Sequence, residues 1–138
     1  MSQPEFVIFA HSGEYDRLYQ VATLAASAAA NGDDVHIILF FDALRRFAED
    51  DLDDSTLPPS YGEEGRRIEQ RMRESRAHSV SELIDTARQQ GKLTLYACAA
   101  QVKFLGLTAA EVEGVVDEVI SLPNFLKRTA DARTKLFI

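Results

Sequence analysis

The sequence predicts an α/β sandwich built on a mostly parallel sheet of five strands. Three observations carry this. Short apolar runs without polar alternation recur at 6–10, 35–41 and 93–97, the pattern of strands buried on both faces. Segments with helical spacing of apolar residues lie between them. Strand and helix then alternate about four times and close on a terminal strand, which specifies parallel pairing through helical crossovers. The 138 residues form one domain, 1–138, with room for a core of its own.

The first strand, 5–10, stops at His11-Ser12-Gly13. From 15 to 30, Leu18, Val21, Ala22, Leu24, Ala25 and Ala28 recur at helical spacing, and the alanines favour both helix and close packing on a sheet. Asn31-Gly32 is a helix stop. The run 35–41 is the second strand, and 43–48 reads as a short helix. Residues 49–65 join an acidic run (Glu49, Asp50, Asp51, Asp53, Asp54) to Pro58-Pro59, Gly62 and Gly65. This is a long solvated loop, a candidate lid. Residues 66–90 read as one long helix, with Ile68, Met72, Val80, Leu83, Ile84 and Ala87 on one face. Its other face carries arginines and carboxylates in balance, so it is a solvated face and not a basic patch. The third strand, 93–97, runs into Cys98 and a turn or two of helix. Thr108 and Glu111 form a capping-box pattern, a fourth strand surrounds Val119-Ile120, and Pro123 opens a helix to about 130. Residues 135–138 are the closing strand.

Composition excludes several classes. A net charge of −7 argues against nucleic acid or anionic membrane as partners. No stretch approaches the ~18 apolar residues of a membrane span. The first apolar run follows Glu5 without a basic leader, unlike a signal peptide. A lone cysteine forms no intramolecular disulfide. The expectation is a soluble cytoplasmic protein. Nucleotide fingerprints (GxxxxGK, GxGxxG) are missing, and the loop HSGEYD lacks the hydroxyl pattern of a flavin phosphate loop. A response-regulator receiver would need acids where His11-Ser12 and Cys98 stand. No cofactor is implied.

In parallel sheets, chemistry gathers at the carboxyl ends of the strands. Cys98 falls there, ahead of a helix whose positive end favours a thiolate, which makes it the candidate nucleophile or sulfur carrier. The alternative is a small buried hydrophobe. His11, ending the first strand, is a candidate base or orienting residue if its strand neighbours that of Cys98. The backbone N–H groups of Ser12 and Gly13 are a candidate anion site, Ser12 being otherwise a helix cap. His36 and His78 have no partners at ligand spacing, so no metal site is predicted.

Tyr96-Ala97-Cys98, the alanine-rich turn after it and Gly106 resemble the DsrE/DsrF-like family of small sulfur-relay proteins. Ser12-Gly13, Asp16, the alanine-rich helix, Asn31-Gly32 and VHIILFF are similar to that family's first βαβ unit. Phe104 departs from the pattern, standing where some sulfur-carrying members have a basic pair. The resemblance implies a flavodoxin-like, three-layer α/β/α fold, homo-oligomers, and a cysteine that accepts and passes sulfane sulfur.

Two functions follow. One is a sulfur carrier or sulfurtransferase-like protein, in which Cys98 holds a persulfide received from a donor protein or small thiol and passes it to an acceptor. The other is a non-catalytic oligomeric module of the same fold, binding a ligand or protein. Self-association is expected from the apolar Phe125, Leu126, Leu136, Phe137 and Ile138 near the chain end.

Overall fold

The computed structural model describes residues 3–138. It is a flavodoxin-like, three-layer α/β/α sandwich. The elements in order are β1 (Glu5–Ala10), α1 (Tyr15–Ala30), β2 (Asp34–Leu39), α2 (Phe41–Ala48), α3 (Glu63–Glu74), α4 (Val80–Gln90), β3 (Lys92–Cys98), α5 (Ala99–Phe104), α6 (Ala109–Glu113), β4 (Glu118–Ile120), α7 (Leu122–Arg128) and β5 (Thr134–Phe137). A single 3₁₀ turn, Pro59–Tyr61, precedes α3. All strand pairs are parallel, and the order is β4-β3-β2-β1-β5.

That order decides how the faces are covered. From β1 to β4 the chain steps always in one direction, so right-handed crossovers put every intervening helix on the same face. There Ile8, Val35, Ile37, Leu39 and Leu95 pack under Leu18, Val21, Leu44, Ile84 and the alanines of α1 and α4. Only the return from β4 to β5 crosses the opposite face, carrying α7 with it. That face holds a smaller cluster of Val7, Phe9, Ile38, Tyr96, Cys98, Ile120 and Phe125. Phe125 is the helix's single fully buried anchor, edge-on to Phe9 at 5.6 Å and to Tyr96 at 5.0 Å.

Three expectations change. The predicted helix 66–90 is two helices. Arg76 takes a left-handed conformation (φ 54°) and Ser79 starts α4 with a reciprocal capping box to Glu82. The apolar stripe continues across the break and hides it; the Ser79-x-x-Glu82 signature marks it.

The segment after α2 keeps its acidic side chains largely in solvent, as the sequence predicts, but it is anchored to the body of the protein. Leu57 is buried, and the Arg46 guanidinium donates to the backbone oxygens of Gly13, Asp51 and Asp54. Asp53 accepts from the Ser81 N–H, and Glu69 from that of Leu57. The acidic run is tied down by one buried arginine and by helix-borne partners.

The second strand ends at Leu39, and Phe40 and Phe41 turn the chain into α2.

Because one aromatic ring fastens α7, Phe125→Ala should cost about 3–5 kcal/mol. Urea unfolding would show it as a lowered midpoint. A loss below about 1 kcal/mol would mean that α7 is held by something other than this ring.

Candidate functional site

The carboxyl ends of β1, β2 and β5, with α7 alongside, enclose a groove of about 520 Å³. Phe9, Phe40, Phe41 and Phe137 form its aromatic walls, Leu122, Leu126 and Ile138 complete them, and His11 is the one polar side chain among them. Each wall has a local cause. Phe9 points away from the main core by strand alternation and stacks on Phe137 of the neighbouring β5 at 4.4 Å, nearly parallel. The backbone of His11 is pinned between Ile138 and α2, its N–H donating to the Ile138 oxygen at 2.7 Å and its carbonyl accepting from Ala43 at 3.2 Å. The imidazole lies edge-on to Phe41, 5.7 Å between centroids.

Phe41 is strained. Its φ is +37°, a conformation bulky side chains avoid. The Gln101 side chain, buried on α5, accepts the Phe41 N–H at 3.1 Å and so fixes the turn. The ring remains 46% exposed at the rim of the groove, so burial of the side chain offsets the strain only in part. Strain of this kind gathers where geometry is held for binding.

Cys98 lies elsewhere. It ends β3 and precedes α5, as the sequence predicts, but it is only 5% exposed. It packs in the apolar cluster with Ile38, Tyr96, Ile120 and Phe125 and does not line the groove.

His11 does not serve it. β2 lies between β1 and β3, so the condition that their strands be neighbours is not met. Two strand spacings amount to about 10 Å.

Ser12 and Gly13 do not form an open anion cradle. The Ser12 N–H faces the Ile138 oxygen at 3.4 Å, and its Oγ accepts from Glu14. The Asp42 carboxylate occupies the space beside Gly13, where even a Cβ would collide with it. An incoming anion would meet that negative charge.

The remaining histidines differ. His78 is exposed beside Glu82. His36 is buried at the amino ends of the strands, with Glu5 and Asp34 close enough that donor atoms of all three lie within 4.8 Å of one another. Burial raises the pKa of Tyr96, which holds the other side of the His36 ring.

Phe40, Phe41, Gln101 and the Glu5-Asp34-His36 cluster become evident as site features only in the folded structure. Asp34 and His36, two apart in a strand, did carry a shared-face signal. Gln101 carried none.

Removing the strained ring separates stability from binding. Phe41→Gly should change the unfolding free energy by less than about 1 kcal/mol, because the backbone strain relieved and the half-buried ring lost are of similar size. A larger loss in urea unfolding would mean that the Phe41 ring contributes packing which outweighs its backbone.

The comparisons agree with the architecture. The solved structure of a conserved protein of unknown function from Bacteroides thetaiotaomicron superposes with a TM-score of 0.64 at 17% identity, covering 98% of this chain and 95% of that one. No curated protein matches the sequence significantly. The model of the DsrE/DsrF/DrsH-like family matches residues 59–137, more than half of the sequence and the whole stretch from α3 through Cys98 to β5. The chain belongs to the DsrE/DsrF/DrsH-like family.

Proposed function

We propose that the protein is a non-catalytic binding module whose site is the aromatic groove, and that its ligand is a small apolar molecule with one polar end set against His11. The observation that carries this is the groove itself. It is concave, it lies at the carboxyl edge where parallel sheets bind ligands, and its volume is in the range of small-molecule sites. Aromatic walls suit a flat apolar body, and a single imidazole fixes one polar group. The strained Phe41 turn, held by a buried glutamine, supports a site shaped in advance.

Anilinonaphthalene sulfonate, an aromatic probe with one anionic end, tests this. It should bind saturably with enhanced fluorescence, and Leu126→Glu or Phe41→Gly should weaken it about tenfold or more, the equivalent of one lost apolar contact. Sedimentation velocity in parallel distinguishes the other occupant. If the protein sediments as an oligomer that Leu126→Glu dissociates, and the wild type takes no probe, the groove is a subunit interface and the ligand reading is overturned.

The sulfur-carrier reading keeps one supporting observation: Cys98 ends β3 directly ahead of α5, inside the stretch matched by the family. In that chemistry the thiolate attacks the outer sulfur of a donor persulfide. The donor S–S bond breaks, the donor leaves as a thiolate, and Cys98 holds the sulfur as S–SH. Burial of the sulfur works against it in this conformation. The expected result with a persulfide donor is no gain of one sulfur by intact mass in the folded protein, and a gain after mild denaturation that Cys98→Ser abolishes. A rapid gain under native conditions, lost in Cys98→Ser, would restore the relay as the function.

A further inference from the structure

We propose that Glu5, Asp34 and His36 bind one divalent first-row transition-metal ion, such as Zn²⁺ or Mn²⁺, at the amino ends of β1 and β2. This is the opposite end of the sheet from the aromatic groove, and the proposal does not depend on what the groove binds. Strand geometry assembles the site. Asp34 and His36 are two apart on β2 and share the α7 face. Parallel pairing sets Glu5 against Asp34 and Val7 against His36, which brings the Glu5 carboxylate diagonally onto the imidazole.

The distances fit one ion. Nε2 of His36 is 3.0 Å from Glu5 Oε2 and 3.5 Å from Asp34 Oδ2. Adjacent ligands on an ion with bonds of about 2.1 Å stand about 3.0–3.4 Å apart.

Two further observations point to a ligand. The His36 side chain is only 9% exposed, and its Nε2 is turned toward both carboxylates while lacking a well-aligned hydrogen bond among the described residues. Neither carboxylate has a lysine or arginine partner among the described residues. Arg133 nearby is taken by Asp33 at 2.9 Å, and Arg128 by Glu118 at 2.8 Å. Two carboxylates thus converge on one buried imidazole nitrogen, with no lysine or arginine between them among the described residues.

The far side of the ring is also prepared. Nδ1 is 2.8 Å from the Tyr96 hydroxyl. With Nδ1–H donating to that oxygen, Nε2 presents its lone pair to the ion, the outer hydrogen bond that metal-bound histidines usually have. Both carboxylates remain 27% exposed, which leaves coordination positions for water. One imidazole with two carboxylates suits borderline transition ions better than Ca²⁺, which takes an all-oxygen shell.

Untagged, chelator-stripped protein titrated with Zn²⁺ by calorimetry, and with Mn²⁺ by electron paramagnetic resonance, tests the site. One equivalent should bind. Asp34→Asn and His36→Ala should each weaken it about 100-fold and Glu5→Gln about tenfold, while Tyr96→Phe should loosen it about tenfold through the ring orientation. Circular dichroism checks each fold. Should His36→Ala unfold, the partly exposed pair Glu5→Gln with Asp34→Asn decides alone. No saturable binding, or binding unchanged in that pair, overturns the proposal; the latter would assign the ion to the acidic segment 49–54.

Discussion

A parallel strand inside a sheet exposes apolar side chains on both faces, so both faces need cover, and chirality decides which cover each receives. In this chain the steps from β1 to β4 all run one way, and the helices they generate are spent on a single face. The other face has α7, seven residues long, fastened by the Phe125 ring. Every candidate feature of the molecule lies on that lightly covered face. The aromatic groove is what α7 leaves open at the carboxyl end of β1. The His36 cluster is what it leaves open at the amino end. Cys98 lies in the small apolar cluster that Phe125 completes.

The strands that define this frame are legible in the chain because the evidence for them is local. Residues 6–10 are apolar throughout, 35–39 and 93–97 are apolar apart from His36 and Thr94, and no helix needs such runs between stop signals. What is not legible is non-local. Strand order depends on which crossover folds back, and nothing in residues 121–133 announces that β5 returns beside β1. The groove follows from that return, since Phe137 and Ile138 reach Phe9 and His11 only through it. Cys98 ends a strand, as its neighbours in sequence predict, yet its exposure depends on the face it takes. Tyr96 and Cys98 alternate onto the α7 side, where Ile120 and Phe125 close over them.

Chain-end hydrophobicity divides in the same way. Phe125 belongs to the protein's own core, whereas Leu126 and Phe137 stand exposed, 47% and 75%, on the rim of the groove. Adjacent residues of one helix serve different purposes because a seven-residue helix has one inward stripe and everything beside it is rim. The apolar cluster near the terminus therefore does not by itself argue for oligomers, but the part left outside argues for an occupant.

The same helix also ties the two ends of the sheet together. Leu122 and Leu126 line the groove, Phe125 lies against Tyr96, and Arg128 at the helix end reaches Glu118 and lies over the Tyr96 ring at 5.9 Å. Tyr96 in turn holds His36. A shift of α7 large enough to uncover Cys98 would have to break the Phe125–Tyr96 contact, and it would carry Leu122 and Leu126 with it. It would disturb the support of the His36 ring at the same time. A molecule seated in the groove would therefore press on the same helix whose Phe125 covers the thiol.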